Sequence, residues 1–256
     1  MDNLNSLLLT LDSLLHTLDI LLFIALPYVA GVVFIVGSIY RYRQTGFKFS
    51  ALSSQFLEGD RLFWGAVPFH FGMVVLFLGH LSAWLLPGTT LLWNSQPVRL
   101  IILEVTAFTF GLSVLVGLVA LLVRRFTNPR VKIVTTRMDI AIELLLLAQV
   151  VLGCWIALGY RWGASWFASD LSPYLWSIVA LRPDIQAISA MPLVIKLHIV
   201  GAFTILLMIP FTRLVHFLVA PFHYVVRPYQ VVMWYWDRRS IRDPRTAWSD
   251  ARPRNN

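Results

Sequence analysis

Five long apolar stretches alternate with short polar ones along this 256-residue chain. A transmembrane helix needs about 20 mainly apolar residues to cross about 30 Å of hydrocarbon. Stretches of that length occupy residues 17–40, 66–86, 98–123, 138–160 and 191–212. The pattern predicts an all-α integral membrane bundle of five transmembrane helices. Around it we expect an N-terminal lead-in (1–16), a membrane domain (17–219) and a C-terminal tail (220–256).

Composition supports a membrane protein, since 58% of the residues are hydrophobic and only 13% are charged, outside the usual range for soluble domains. The first 19 residues carry three aspartates and no basic residue, which is atypical of a cleavable signal peptide. We therefore expect the lead-in to remain, as an amphipathic segment or as an extension of the first helix. The single cysteine, Cys154, excludes an internal disulfide and a cluster ligated only by cysteines of this chain.

The net charge of +8 is distributed unevenly, with 17 of the 21 basic residues in loops on one side of the predicted spans. The other side carries only Arg99, Arg161, Arg182 and Lys196. The positive-inside rule then places the N-terminus outside and the C-terminus in the cytoplasm. Membrane topology accounts for the charge, and no nucleic-acid partner is expected.

Four of the six histidines lie in or near two of the spans: His70 and His80 in the second, His198 in the fifth and His216 just after it. Ionisable side chains at membrane depth are costly and usually mark function. One such histidine alone is also consistent with a neutral imidazole bonded to a carbonyl, but two pairs favour cofactor ligands. The remaining two, His16 and His223, are interpreted as interfacial or surface side chains.

The four histidines match by depth, because the second span runs outward and the fifth runs inward. His80 falls level with His198 on the outer side, and His70 with His216 on the inner side. A haem held between two helices takes one imidazole from each. The sequence therefore predicts two haems, each held by two histidines.

The spacings of the ligands differ between the two spans. Eighteen residues on the fifth span make five helical turns and about 27 Å, whereas ten residues on the second make about 15 Å. Pro210 lies between the fifth-span ligands, and we expect it to kink a helix that carries both His198 and His216.

Several neighbouring residues each have two interpretations. Gly72, Gly79 and Gly201 either leave room for a flat macrocycle or allow close helix packing. Arg130 and Arg213, at the predicted inner edge, either bind haem propionates or serve topology alone. The aromatic outer loop, 161–190, suits the headgroup level or a lipid-like ligand. The C-terminal tail is either a membrane-surface segment or a docking surface for a cytoplasmic partner.

The motifs "PFHFGMVVLFLGHL", "KLHIVGAFTILLMIPFTRLVH", "LPYVAGVVFIVGSIYRYR", "NPRVKIVTTRMDI" and "PYQVV" are spread over most of the chain, from about Leu26 to Gln230. In these motifs the chain resembles the gamma subunit of respiratory membrane-bound nitrate reductase, a dihaem cytochrome b. The ten- and eighteen-residue histidine spacings are the specific part of this resemblance.

The resemblance implies a multi-pass subunit of a prokaryotic inner membrane that contains two haem b groups and oxidises membrane quinol. His80 and His198 are then expected to hold the distal haem, and His70 and His216 the proximal haem. Protons are expected to leave on the outer side. Electrons are expected to pass to an iron–sulfur (beta) subunit and a molybdenum-containing catalytic (alpha) subunit in the cytoplasm.

The quinol site is where this sequence departs from the family, which has a lysine shortly after the second helix. The segment "NSQPVRLIILE" has none, and Arg99 is the nearest cation and our quinol-site candidate. Glu104 and Glu143 either serve a proton path or bond to polar neighbours. The alternatives for the whole chain are the related haem b subunit of a sulfur-metabolism complex and a haem-free membrane anchor or proton-relay transporter.

Overall fold

The computed structural model describes residues 2–44, 57 and 59–219. It confirms the five predicted spans, and the described residues contain helices and no β-strand. The helices long and apolar enough to cross a membrane are Leu9–Gln44, Arg61–Leu85, Pro97–Thr127, Arg137–Gly159 and Leu193–Phe211. The predicted tail, residues 220–256, lies outside the described residues.

The α-helices in chain order are α1 (Asp2–Ile20), α2 (Leu26–Gln44), α3 (Asp60–Leu85), α4 (Pro87–Asn94), α5 (Pro97–Thr127), α6 (Pro129–Ile133), α7 (Arg137–Gly159), α8 (Gly163–Trp166), α9 (Ser172–Val179), α10 (Gln186–Ser189) and α11 (Leu193–Met208). Short π-helical segments, Leu21–Ala25 and Phe167–Leu171, join α1 to α2 and α8 to α9. Two 3₁₀ helices, Ile209–Phe211 and Arg213–Val219, follow α11.

Local sequence signals set several of the helix ends. Proline occupies the first helical position of α4 and of α5, where its missing N–H costs nothing. At the start of α7 the side chain of Thr136 accepts a bond from the N–H of Asp139, whose carboxylate accepts one from the N–H of Thr136. This capping box satisfies two amide groups that the first turn leaves without helical partners.

The closest helix pair is α3 and α5, and glycine makes the approach possible. A Cβ added at Gly72 would lie 2.7 Å from a methyl carbon of Val114 and 2.8 Å from the carbonyl oxygen of Phe110. A Cβ at Gly117 would lie 2.6 Å from the amide nitrogen of Phe69. Because backbone stands directly against these glycines, neither tolerates a side chain. Of the two interpretations of Gly72, close helix packing therefore explains why this position is a glycine.

Two apolar clusters hold the bundle together. One lies between α5 and α7 and contains Val114, Leu118, Leu122, Ile142, Leu146 and Val150. The other joins the first span to α7, α9, α10 and α11 and contains Phe23, Ile156, Leu171, Tyr174, Ile188, Ile195 and Ile199. Many large apolar side chains remain exposed along the spans, as expected where lipid is the solvent. We call the two ends of the bundle the His70 end and the His80 end.

The aromatic loop 161–190 packs into the His80 end of the bundle. The hydroxyl of Tyr174, almost fully buried, donates to the carbonyl of Phe23 over 2.7 Å. Burial, with a smaller contribution from Tyr28, raises the pKa of this phenol, so it remains a donor. The indole of Trp176 donates to the carbonyl of Trp84 over 3.0 Å. The first bond ties the loop to the first span, and the second ties it to the end of α3 that carries His80.

Candidate functional site

His70 and His216 meet at one end of the bundle. Their ring centroids lie 6.1 Å apart, with the planes at 66°. Two imidazoles that hold one metal ion between them, each through a bond of about 2 Å, place their ring centres about 6 Å apart. The observed separation therefore suits one metal centre between the two rings.

The chain reaches His216 by a route different from the predicted one. A single fifth helix carrying both His198 and His216 is wrong, because α11 ends at Met208 and Thr212 is extended (φ −117°, ψ 177°). The chain then restarts as a 3₁₀ helix that contains His216. The counting of helical turns from His198 to His216 therefore does not apply.

Arg41, in the last turns of α2, holds this break. Its Nη1 donates to the carbonyl oxygens of Pro210 and Thr212, each over 2.7 Å. A Cβ at Gly37, one turn earlier, would lie 3.0 Å from the Pro210 ring, so α2 packs directly on the break. Bonds to a guanidinium are stronger than neutral ones. Arg41 thus positions the segment that presents His216.

Three of the four histidines share one hydrogen-bond arrangement. The Nδ1 atoms of His70 and His80 lie 2.8 Å from the carbonyl oxygens of Ala66 and Leu76, one turn earlier. In His216 the Nδ1 lies 2.7 Å from the carbonyl of Arg213. Because a carbonyl only accepts, Nδ1 carries the proton in each ring and Nε2 keeps its lone pair. This is the tautomer and orientation that a metal ligand needs.

His198 lies on α11 and differs from the other three histidines, because its neighbours are residues of helix α7. Its Nδ1 is buried and has no hydrogen-bond partner among the described residues. A Cβ at Gly153 would lie 3.2 Å from its Cε1, so the absence of a side chain there admits the ring. The pairing of His198 with His80 stays a prediction.

Gln149, on α7, contacts the backbone of His198 and was not singled out by the sequence analysis. Its Nε2 donates to the carbonyl oxygen of His198 over 2.9 Å. Its Oε1 is buried with no hydrogen-bond partner in the described part of the chain and stands against Gly201, where a Cβ would collide with it. Gly201 therefore makes room for Gln149. The only sequence signal is a polar amide in the middle of an apolar span.

A network of charged side chains closes the His70 end. Arg125 binds Glu143 through two nitrogens, at 2.6 and 2.9 Å. Arg213 binds Asp139 over 3.0 Å and donates to the carbonyl of Val134 over 2.9 Å. Glu143 thus bonds to a polar neighbour, as one of its two interpretations expected. Arg213 is engaged by protein groups three residues before His216.

The other two arginine candidates are exposed. Arg130 lies in α6, where its backbone N–H donates to the Asn128 side chain that caps the helix. Arg99 lies in the first turn of α5 at the opposite end of the bundle, with its guanidinium carbon 5.1 Å from the centre of a Trp93 ring. The structure does not bring these arginines together with a histidine pair.

A second set of polar contacts lies at the His80 end, between α4, α5 and α8. A carboxylate oxygen of Glu104 accepts from the N–H of Ala164 over 2.8 Å. The side chain of Asn94 donates to Ser165 over 3.1 Å, and its Oδ1 is buried without a partner among the described residues. Phe167 packs edge-on against His80, with ring centroids 5.4 Å apart. Glu104, on α5, thus bonds to the same loop that covers His80.

Comparison with known proteins gives consistent matches over most of the chain. The model of the nitrate reductase gamma subunit family matches residues 19–235. Against the respiratory nitrate reductase 2 gamma chain of Escherichia coli strain K12, the identity is 34% over 223 residues, covering 86% of this chain and 98% of that relative. Against the nitrate reductase gamma chain of Bacillus subtilis strain 168 it is 32% over 209 residues, covering 80% and 94% respectively.

Proposed function

The chain belongs to the nitrate reductase gamma subunit family, and from that premise we propose that it oxidises membrane quinol and passes the electrons to its partner subunits. It is a multi-pass protein of a prokaryotic inner membrane and a subunit of an oxidoreductase complex. The observation that carries the proposal is the pair of facing imidazoles, His70 and His216, 6.1 Å apart.

Two haem b groups fit the four histidines. His70 and His216 would hold the proximal haem, and His80 and His198 the distal one. In three of these rings the backbone already bonds Nδ1 and leaves Nε2 for the iron. When bound, the haems supply one-electron carriers at the two ends of the bundle. Protein groups keep each imidazole in place: Arg41 through the break before His216, and Gln149 through the carbonyl of His198.

Quinol oxidation releases two electrons and two protons, so the substrate site needs a binding group and a proton acceptor near the distal pair. Arg99, which lies at the His80 end of the bundle although not beside the histidines, is the candidate for binding a quinol oxygen, and its stacking on Trp93 orients the guanidinium. Glu104 is the candidate for receiving a proton. One of its oxygens is bonded to the backbone of the loop that covers His80, which fixes the direction of the carboxylate.

The charge asymmetry supports an orientation with the His80 end outside and the His70 end in the cytoplasm. Protons from quinol would then leave on the outer side, and electrons would leave the bundle near His70 and His216. Arg130, Lys132 and Arg137 are exposed at that end and favour docking of a cytoplasmic subunit. We propose that this subunit is the iron–sulfur (beta) subunit, followed by the molybdenum-containing (alpha) subunit.

The test is a comparison of single histidine variants in the intact complex, in anaerobic membranes. Reduction by a quinol analogue and reoxidation by nitrate are followed through haem b absorption. We expect His80→Ala to lose one haem together with quinol oxidation, and the exposed control His16→Ala to retain both. Quinol oxidation at the normal rate in His80→Ala would contradict the proposal.

The same experiment separates the alternatives. Absence of low-spin b-haem bands in the unsubstituted complex would favour a haem-free anchor. A different result would favour the subunit of a sulfur-metabolism complex. In that case quinol reduces the haems and nitrate does not reoxidise them, but a sulfur-containing acceptor does.

A further inference from the structure

His216 stands on a segment that needs support from the rest of the bundle. The 3₁₀ helix Arg213–Val219 has seven residues, whereas 3₁₀ runs longer than about 3–4 residues are uncommon because their hydrogen bonds have poor geometry. Thr212, immediately before this helix, has an extended backbone, so the segment is not a continuation of α11. The position of His216 therefore depends on contacts that the segment makes with neighbouring helices.

Two elements of the bundle supply these contacts, one on each side. On one side, α2 holds the break before the segment through Arg41. On the other side, the guanidinium of Arg213 lies between two acceptors at the start of α7. Its Nε binds Oδ1 of Asp139 over 3.0 Å, and its Nη2 donates to the carbonyl oxygen of Val134 over 2.9 Å. The guanidinium thus ties the first residue of the 3₁₀ helix to α7.

Arg213 makes a third contact, through its backbone, with the ligand itself. Its carbonyl oxygen lies 2.7 Å from Nδ1 of His216. A bond to the second ring nitrogen orients a metal-binding imidazole and raises its basicity. One residue therefore holds α7 with its side chain and orients the His216 ring with its carbonyl group.

Asp139 is buried more deeply than its role in the helix cap requires. The cap uses Oδ2, which accepts from the N–H of Thr136 over 2.9 Å, whereas Oδ1 binds Arg213. A buried carboxylate is costly unless it is paired, and Asp139 is only 5% exposed. A cap at a helix end functions equally well in contact with water. The burial indicates that the ion pair with Arg213 is a second role of this residue.

The neighbouring charges leave this ion pair distinct from the rest of the network. Arg125 binds Glu143 at 2.6 and 2.9 Å, and its Nη1 lies 3.9 Å from Oδ2 of Asp139. Arg125 therefore keeps a carboxylate partner when Asp139 is replaced. The main change is the loss of the ion pair between Arg213 and α7.

We propose that Asp139 is a positioning residue for the proximal haem. By holding the guanidinium of Arg213, it fixes the carbonyl group that orients the ring of His216. The inference rests on the proposed function, because it requires a haem between His70 and His216. It assigns Arg213 to the positioning of a ligand, in place of the binding of a haem propionate.

These two roles of Arg213 predict opposite effects when Asp139 is replaced. If Arg213 positions His216, its release from α7 loosens the ligand and the haem is lost faster. If Arg213 binds a propionate, its release from Asp139 frees the guanidinium for that contact, and the haem is held at least as firmly.

Substitution of Asp139 in the full solubilised complex tests the proposal. Asp139→Asn removes the ion pair, and Asp139→Glu retains the charge at a position where glutamate also completes a capping box. Thr136→Ala is the matched control, because it removes the hydroxyl group of the cap and leaves the ion pair in place. The rate of transfer of each haem to apomyoglobin is measured, with the two haems identified by their midpoints. The electron paramagnetic resonance spectrum of the oxidised complex is also recorded, since it reports the angle between the two imidazole planes on each iron.

We expect Asp139→Asn to release the proximal haem about tenfold faster and to shift its resonance signal, with the distal haem unchanged in both measurements. Asp139→Glu and Thr136→Ala should behave as the unsubstituted complex. Unchanged or slower proximal release in Asp139→Asn would overturn the proposal. An equal effect in Thr136→Ala would also overturn it, because the effect would then come from the helix cap.

Arg213→Gln removes the same ion pair from the other side and leaves the cap of α7 intact, so it tests the proposal even where Asp139→Asn weakens the helix. We expect the same faster release, and a double variant no faster than either single one, because both substitutions break one bond. Additive effects would contradict the inference. Absence of haem from the unsubstituted complex would refute the proposed function itself, whereas two haems that do not respond to Asp139→Asn would refute only the inference.

Discussion

Replacing Gly153 by valine tests how α7 admits the distal ligand. The Cβ would lie 3.2 Å from Cε1 of His198 and 3.9 Å from both ring nitrogens. Carbon atoms in contact prefer about 3.5–4.0 Å, and the two γ-carbons of valine extend further towards the ring. The imidazole then has to move by about 1 Å, whereas a metal site tolerates about 0.2 Å in its ligand distances.

We therefore expect Gly153→Val to lose the distal haem and to retain the proximal one, because His70 and His216 lie at the other end of the bundle. The assay is haem content per chain, with a redox titration that resolves two midpoints in the unsubstituted complex and one in the variant. Gly31→Val is the control, since a Cβ at Gly31 meets nothing within 4 Å. Two haems in Gly153→Val, or loss of haem in Gly31→Val, would refute the reasoning.

Three further substitutions probe the groups around the site. Gln149→Leu removes the bond to the His198 carbonyl, and we expect the distal haem to be released about tenfold faster to apomyoglobin, with proximal release unchanged. Arg41→Gln removes charge-assisted bonds worth about 1.5–3 kcal/mol each. It should lower proximal haem occupancy in the redox titration and leave the distal midpoint in place. Asp139→Asn removes the carboxylate that Arg125 and Arg213 share. We expect it to lower the melting temperature of the solubilised complex by several degrees. Lys132→Ala, at an exposed position, should leave the melting temperature unchanged.

The sequence predicted the spans because hydrocarbon imposes a length and a polarity on each crossing segment. It also predicted that His70 and His216 meet, since the order of the spans determines which histidines share a depth. His70 and His216 lie close together, but the chain reaches His216 by a route different from the one expected. The helix does not run on to His216, and the end at Met208 depends on how Pro210 packs against α2.

The groups that position the ligands were not predictable from the pattern. Arg41 was counted with the basic residues that set topology, and only the fold shows its guanidinium on the carbonyls of the break. Gln149 and Gly153 act on His198 across a helix interface whose rotation the sequence does not specify. The sequence likewise does not distinguish the two interpretations of Gly72, because they depend on how closely α5 packs on it.

The central claim is that this chain holds two haem b groups, each between two histidines on different helical segments. The most direct measurement is the haem-to-chain ratio of the purified complex, combined with an anaerobic redox titration of its low-spin b absorption. We predict two haems per copy of this chain, with His70→Ala and His80→Ala each removing a different one of two resolved midpoints. A ratio of one or none, or the same midpoint lost in both variants, would contradict the account.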